Sequence, residues 1–168
     1  MKLESLKDLY LEQLKDLYSA ETQLVEALPK MAEAATAPDL KKGFMDHLKQ
    51  TQEHAKRLER IFKGLKEDPE GETCKGMEGL IKEGSQMAKM KGDDAARDAG
   101  LIAAAQRVEH YEIAAYGTVR TYAELLGYDE HVNLLEKTLN EEEETDERLT
   151  QLAESHINED ALVGNLAE

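Results

Sequence analysis

The sequence predicts an all-α protein, and its composition, its hydrophobic periodicity and its connection lengths support this prediction. The 168 residues include only 3 Pro, 11 Gly and no Trp. The commonest residues are Ala, Leu, Glu and Lys, which lose little rotamer freedom in a helix. Apolar residues recur at helical spacing almost from end to end, and two short connections and one long one separate four long segments. We therefore expect one domain over residues 1–168, an antiparallel four-helix bundle (helices A to D) with an extra helix in the long crossover between the second and third helices, B and C.

Helices A and B form the first predicted hairpin. Helix A extends to about Ala35, and Pro29 is expected to kink its last turns rather than end it. The sequence TAPD at residues 36–39 has the form of a capping box, so we expect it to start helix B, which continues to about Leu65. The Pro and Gly within residues 68–71 then end the helix.

A connector helix and the second hairpin follow. The connector is predicted over residues 74–90, and helix C over residues 93–125 with Gly127 as its C-cap. Asp129 is predicted to N-cap helix D, which continues to about Asn158. We expect the last ten residues to be frayed.

The charge balance favours cations and disfavours polyanions. The chain has 21 Lys and Arg against 36 Asp and Glu, a net charge of −15. We expect no nucleic-acid partner and no membrane partner, because both present anionic surfaces. Cys74 is the only cysteine, and no apolar stretch resembles a signal core or approaches the roughly 18 residues of a membrane span. We therefore expect a cytoplasmic protein.

Each of the four helices carries a polar side chain at the centre of its apolar stripe. With about 100° of rotation per residue, the spacing directs four side chains inward. They are Glu21 on helix A, His54 on helix B, Glu112 on helix C and Glu142 on helix D. Glu109 and Asp146 lie near the inner edges of their stripes, while Thr51 and His47 share the face of His54. The acidic run 141–144 is otherwise interpreted as a solvated face.

These inward groups also share a depth along the bundle. Glu21 lies about 16 residues before the A/B turn and His54 about 16 after it, some 25 Å along either helix at 1.5 Å per residue. Glu112 and Glu142 lie about 15 residues before and after the C/D turn. The sequence therefore predicts that the four groups meet at mid-length.

Several buried carboxylates require compensation, since each ionised group costs several kcal/mol in a dry interior. Two divalent cations bridged by carboxylates would provide it, and oxygen ligands with an imidazole suit Fe or Mn better than Zn or Cu. Tyr18, Tyr111 and Tyr116 flank these positions and could donate hydrogen bonds to the ligands. The alternatives are a partly wet or Lys-paired glutamate at each position, and a hydrogen-bonded core histidine at His54.

Four stretches of the sequence resemble one known family. They are DLYSAETQLVEALPKM, HLKQTQEHAKRLERIF, LIAAAQRVEHYEIAAYGTVRTYAELLG and LLEKTLNEEEETDERL. They resemble the YciE/YciF stress-protein family, a branch of the ferritin-like, rubrerythrin-like superfamily, over about residues 5–155. The resemblance implies a ferritin-like bundle, a homodimer, expression under general or oxidative stress, and a di-iron site.

The resemblance also implies positions for the ligands. Glu21 takes the place of the superfamily's helix A glutamate, Glu109 and Glu112 that of the helix C pair, and Glu142 that of the helix D glutamate. The superfamily's Glu-x-x-His motif is not intact on helix B or on helix D. The site could therefore be asymmetric, hold one metal, or be vestigial.

The leading hypothesis is a stress-response metalloprotein whose Fe or Mn centre acts on peroxide, oxygen or Fe(II). The predicted ligands are Glu21, His54, Glu109, Glu112, Glu142 and, as a further candidate, Asp146. The chain lacks the four-Cys iron module of rubrerythrins, so a peroxidase would need an external reductant. The alternative is a dimeric structural or interaction protein with a vestigial or purely structural metal site. Nothing in the sequence itself supports the binding of a small molecule within the bundle.

Overall fold

The computed structural model describes residues 3–163, and this part of the chain is helical with no strand. It contains six α-helices, α1 (Leu6–Ala34), α2 (Pro38–Leu65), α3 (Lys75–Ala88), α4 (Asp94–Leu125), α5 (Asp129–Leu152) and α6 (Asn158–Val163). A π-helical turn, Ala153–Ile157, joins α5 to α6. Helix α1 continues through Pro29 as expected. The predicted helical bundle and the connector helix are therefore confirmed.

The helices form two antiparallel hairpins that pack side by side. Helices α1 and α2 form one hairpin and α4 and α5 the other, with α1 against α4, α2 against α5, and α3 across α1 and α4. The carboxylate of Asp98, near the start of α4, accepts hydrogen bonds from backbone N–H groups of the α1–α2 turn. Tyr10 near the start of α1 bonds His131 near the start of α5, 3.1 Å apart. The α1–α2 and α4–α5 turns therefore lie at opposite ends of the bundle.

Asp98 replaces the predicted capping box at the start of α2, so that prediction is wrong. The N-cap is Ala37, with Pro38 in the first turn and no side-chain cap. Asp98 Oδ1 lies 2.9 Å from the Thr36 nitrogen and Asp98 Oδ2 lies 2.6 Å from the Ala37 nitrogen. The Thr36 hydroxyl instead accepts a hydrogen bond from Arg97. An acceptor from another helix thus satisfies donors that a local cap would otherwise bind.

The start of α5 and residues 159–163 differ from expectation, whereas Gly127 lies at the end of α4, directly after the C-cap Leu126. Helix α5 is capped by Tyr128 rather than Asp129, and no side chain bonds its first N–H groups. Gly127 has φ +73°, which favours glycine, and the Tyr128 N–H donates to the Ala123 carbonyl to close α4. Residues 159–163 are helical rather than frayed. The other five residues predicted to fray, 164–168, lie outside the described residues.

Two apolar cores lie on either side of a belt of buried polar residues. The proximal core lies near the α1–α2 turn, and its buried residues are Ala20, Leu24, Leu28, Ala32, Ala35, Leu40, Phe44, Cys74, Met77, Leu101, Ile102, Ala105, Val108, Leu149 and Ile157. The distal core lies at the other end, and its buried residues are Tyr10, Leu14, Leu17, Leu58, Ile61, Phe62, Tyr116, Val119, Ala123 and Leu135. Within residues 3–163, no helix has the length and apolar character needed to cross a membrane.

Candidate metal centre

The structure brings five of the six sequence-predicted residues together in the buried polar belt. Glu21, His54, Glu109, Glu112 and Glu142 are each at most 2% exposed. Their ligand atoms fall into two overlapping groups, each with all members within 4.8 Å of one another. The first group is His47, Glu109, Glu112 and Glu142; the second is Glu21, His54 and Glu142. Glu142 therefore belongs to both.

Helical spacing explains why acidic residues occupy these interior positions. Glu21 lies between Leu17 and Leu24, and Glu112 lies four residues from Val108 on one side and from Tyr116 on the other. Residues three or four apart share a helix face, so each glutamate is carried inward by buried apolar neighbours. Burial of the neighbours against the other helices therefore holds the carboxylates in the core.

His47 is directed at the first group by Thr145. The Thr145 hydroxyl donates to the Glu141 carbonyl over 2.9 Å, so its lone pair can accept from His47 Nδ1, 3.3 Å away. His47 Nε2 then faces the carboxylates, 3.3 Å from Glu109 Oε1 and 3.7 Å from Glu142 Oε2. Neither contact is a hydrogen bond. The ring nitrogen thus points into a group of carboxylate oxygens.

His54 is fixed from the opposite side by an ion pair. Its Nε2 lies 2.9 Å from Glu141 Oε2, and Arg57 bonds both oxygens of Glu141 over 2.6 and 3.0 Å. His54 Nδ1 therefore faces inward, 2.9 Å from Glu142 Oε1 and 3.4 Å from Glu21 Oε1. A ring nitrogen whose partner nitrogen bonds a carboxylate is the usual arrangement of a metal-binding histidine.

Burial and mutual repulsion raise the pKa of two glutamates in the belt. Burial, followed by the charges of Glu142, Glu21 and Glu109, raises the pKa of Glu112 well above its usual range. The pKa of Glu142 rises to about 8, mainly through burial, although His54 opposes the shift. Without a cation, these carboxyl groups hold protons at pH values where an exposed glutamate does not.

The pKa values of the two histidines also rise, although burial by itself would lower them. Burial alone would lower the pKa of His54, but the hydrogen bond to Glu141 and the nearby carboxylates of Glu142 and Glu21 raise it to about 12. Burial likewise opposes the charges of Glu109 and Glu142, which raise the pKa of His47 to about 9. For Glu141, bonds from His54 and Arg57 outweigh burial and lower the pKa to about 2. The metal-free belt therefore compensates part of its negative charge with protonated imidazoles.

Most of the ligand atoms in the belt nevertheless lack a hydrogen-bond partner. Within residues 3–163, the unpartnered buried side-chain atoms are Glu21 Oε2, His47 Nε2, Thr51 Oγ1, His54 Nδ1, Glu109 Oε2 and both carboxylate oxygens of Glu112 and Glu142. All of them belong to this belt. A buried polar atom without a partner costs about 1 to 3 kcal/mol, more when charged. The donor set of carboxylates and two imidazoles fits divalent Fe or Mn, which would bind these atoms.

Other sequence-predicted residues lie outside the two groups. Asp146 is on α5 but contacts Gln106 over 3.3 Å and His110 over 3.2 Å, away from the belt. Tyr111 donates to Asp16 over 2.7 Å, and Tyr18 donates to Glu59 over 3.1 Å. Of the three tyrosines, only Tyr116 reaches the belt, where its hydroxyl donates to Glu21.

Two contributors to the belt, His47 and Glu141, were not predicted from the sequence. His47 shares the face of His54, but the candidate set did not include it. Glu141 was interpreted as solvated, which is wrong, because its side chain is 20% exposed and bonded to His54 and Arg57. One signal could have identified His47: it lies seven residues before His54, on the same face of the helix.

Comparison with known proteins agrees with the helical architecture. A family model described as "Domain of unknown function (DUF892)" matches residues 5–162. Protein YciF of Escherichia coli K12 is 41% identical over 162 residues, covering 96% of this chain and 98% of YciF. The crystal structure of the E. coli stress protein YciF has a TM-score of 0.89 and covers 93% of this chain and 99% of that one.

Two further structures share the fold. YcfI from Rhodopseudomonas palustris, described as a structural protein, is 44% identical with a TM-score of 0.86, covering 89% of this chain and 95% of that one. A protein from Xanthomonas campestris is 20% identical with a TM-score of 0.74, covering 93% of this chain and 95% of that one, which supports the fold alone. The resemblance stated from the sequence is confirmed.

Proposed function

This chain belongs to the DUF892 family, and we propose that it is a stress-response, ferritin-like metalloprotein that binds two Fe or Mn ions in its polar belt and acts on peroxide, oxygen or Fe(II). The observation that carries the proposal is the set of unpartnered ligand atoms, which converge from four helices. The similarity to the E. coli stress protein YciF supports the stress role. By the family resemblance, the protein acts as a homodimer.

The two groups of ligand atoms support a division of the ligands between two ions. His47, Glu109 and Glu112 would hold one ion, and Glu21 and His54 the other. Glu142 belongs to both groups and would be shared. When bound, a pair of redox-active ions supplies the two electrons that reduce peroxide, or accepts electrons from further Fe(II).

The surrounding residues hold these ligands in place. Arg57 fixes Glu141, which accepts from His54 Nε2 and leaves Nδ1 facing inward. The Tyr116 hydroxyl donates to Glu21 and fixes its carboxylate. Large side chains of the distal core close that side of the belt and exclude water there. These contacts therefore orient the ligands before any ion enters.

Elemental analysis of purified protein tests the proposal. Protein expressed in Fe- and Mn-supplemented medium and purified without chelator should carry about two metals per chain. Glu142→Ala should lose most of this metal, whereas Glu143→Ala, an exposed acid on the same helix, should retain it. Loaded wild type should consume peroxide, with an external reductant or by dismutation. Metal content well below one per chain in wild type would contradict the proposal.

A second candidate is a dimeric structural protein in which any metal is vestigial or only stabilises the fold. The description of the relative YcfI as a structural protein favours it. The two candidates differ in one measurement. A chain that binds two metals but neither consumes peroxide nor oxidises Fe(II) fits the structural candidate.

A further inference from the structure

A cavity of about 470 Å³ lies beside the polar belt, in the proximal half of the bundle. Helices α1 to α5 all contribute to its walls, which are mainly apolar and include Leu24, Leu28, Phe44, Leu80, Val108 and Leu149. Volumes of about 300 to 1,000 Å³ with such walls are typical of small-molecule sites. The cavity is therefore of a size and character suited to an apolar ligand.

Small residues create this space. Gly43 on α2, Gly84 on α3 and Ala105 on α4 line the cavity. A Cβ atom added at Gly43 would meet no heavy atom closer than 3.9 Å, and one at Gly84 none closer than 3.5 Å, which are ordinary contacts. Close backbone packing therefore does not demand these glycines. Protein interiors are normally filled by side chains, so a pocket of this size bordered by small residues is suited to a ligand.

The inner wall of the cavity includes His47 and Glu109. These residues also belong to the first ligand group, and His47 Nε2 and Glu109 Oε2 lack hydrogen-bond partners. A molecule in the cavity would therefore lie directly beside the candidate metal centre.

The rim of the cavity is basic, in contrast to the protein as a whole. Lys30 on α1, Lys89 at the end of α3 and Arg148 on α5 border the cavity and are exposed, with Glu33 as the one acidic residue among the lining side chains at the rim. None of the three basic side chains forms an ion pair with any residue in the described range 3–163. On a chain of net charge −15, this concentration of unpaired cations favours an anionic head group.

We propose that the cavity binds an apolar carboxylate of the fatty-acid class. The apolar chain lies against the leucine, valine and phenylalanine side chains of the cavity walls, and the carboxylate meets Lys30, Lys89 and Arg148 at the rim. The proposal goes beyond the proposed function, because binding requires no metal. Its test can therefore succeed or fail whether or not the belt holds ions.

Displacement of a fluorescent fatty acid, cis-parinarate, by dodecanoate tests the proposal with the full-length chain, both as purified and after metal removal. Wild type should bind one dodecanoate per chain, saturably, in both forms. Ala105→Leu fills the deep part of the cavity and Ala88→Leu fills the part near the rim. Each should weaken binding by about tenfold or more, since a tenfold change corresponds to only about 1.4 kcal/mol.

The matched control is Ala115→Leu, a half-buried alanine on the same helix as Ala105 that packs against the distal core and does not line the cavity. It should bind dodecanoate as wild type does. Circular dichroism identifies which variants are folded, and either cavity variant alone suffices. Absence of saturable binding to wild type, or wild-type affinity in a folded cavity variant, would overturn the proposal.

The head group is tested by a paired comparison of dodecanoate with dodecanol. The double variant Lys30→Gln, Lys89→Gln should weaken dodecanoate binding by about three- to tenfold, which is on the scale of a few exposed charge contacts. Dodecanol binding should not change. Equal effects on both ligands would overturn the carboxylate assignment.

Discussion

The distal and proximal cores flank the same polar belt, but they are built from side chains of different size. The distal core contains two tyrosines and a phenylalanine that are at most 1% exposed. Four alanines lie among the buried residues of the proximal core, and a cavity of about 470 Å³ opens there. The distal end of the bundle is therefore filled by large side chains next to the ligands, whereas the proximal end leaves room beside them.

Truncating a leucine in each core should change the unfolding free energy more than any other substitution proposed below. Leu14→Ala in the distal core should cost about 2 to 5 kcal/mol of unfolding free energy, because the surrounding side chains cannot refill the space. Leu28→Ala should cost about 2 kcal/mol, the lower end of that range, because Leu28 already borders the cavity. Urea denaturation of the metal-free protein measures both. Equal costs would remove the contrast between the cores.

Glu112→Gln tests whether the belt between the cores is a destabilising element without metal. The substitution removes a buried carboxyl group, so the metal-free variant should be more stable than wild type by about 1 to 3 kcal/mol. The metal-loaded variant should lose stability relative to loaded wild type. Thermal unfolding with and without Mn²⁺ measures this reversal, and the exposed Glu124→Gln on the same helix serves as the control. A variant less stable than wild type in both conditions would contradict the account.

Angle and depth were sufficient to predict much of this belt. The positions of Glu21 and Glu112 followed from about 100° of rotation and 1.5 Å of rise per residue, because long regular helices preserve both. His47 was placed on the face of His54, but its depth was not considered, and it lies two turns, about 10 Å, from His54. The depths of Glu21 and His54 were counted from the α1–α2 turn and those of Glu112 and Glu142 from the α4–α5 turn, and these two turns lie at opposite ends of the bundle. Counted from the α1–α2 end, His47 and Glu109 are level.

Hydrophobic periodicity predicts which face of a helix is buried but not which residues of other helices it contacts. For this reason the contacts of Glu141 and Asp98, and the cavity, were not predicted. Glu141 lies next to Glu142, so it projects toward a different side of the helix, where Arg57 from α2 binds it. Asp98 caps the α1–α2 turn from about 60 residues away in sequence. The cavity depends on five helices at once. None of these contacts has a signature within a single segment of sequence.

The two histidines of the belt are held by partners of different charge, so the importance of these partners for metal binding can be compared. His54, on the distal side, is held by the charged pair Glu141 and Arg57, whereas His47, on the proximal side, is held by a neutral hydroxyl. Loss of an outer-sphere partner typically costs about 10 to 100-fold in metal affinity. Arg57→Gln should therefore weaken Mn²⁺ binding within that range, and Thr145→Val less. Isothermal titration calorimetry measures both variants.

Arg60→Gln is the control for this comparison, because Arg60 lies one turn along α2 and its side chain is 65% exposed. It should bind Mn²⁺ as wild type does. If Arg57→Gln also binds like wild type, the ion pair does not position His54.

The pH dependence of stability should change sign when metal binds. Metal-free, the pKa of Glu142 is raised from 4.5 to about 8, and that of His47 from 6.5 to about 9. The folded state therefore holds more protons than the unfolded state between about pH 5 and 8, so its unfolding free energy falls as pH rises. The low pKa of Glu141 acts only below this window.

Bound cations require deprotonated ligands, so the stability that Mn²⁺ adds should increase over the same pH range. Denaturation at about pH 5.5 and pH 8, with and without saturating Mn²⁺, measures both slopes. A metal-free protein that becomes more stable as pH rises across this window would contradict the account.

Anomalous scattering from crystals of the protein soaked in Fe(II) would show whether the polar belt is a two-metal site, because it reports occupancy, number of ions and ligand identity together. Two peaks are expected in the polar belt, one beside His47, Glu109 and Glu112 and the other beside Glu21 and His54, both adjacent to Glu142. Iron peaks confined to the protein surface, with none in the belt, would contradict it.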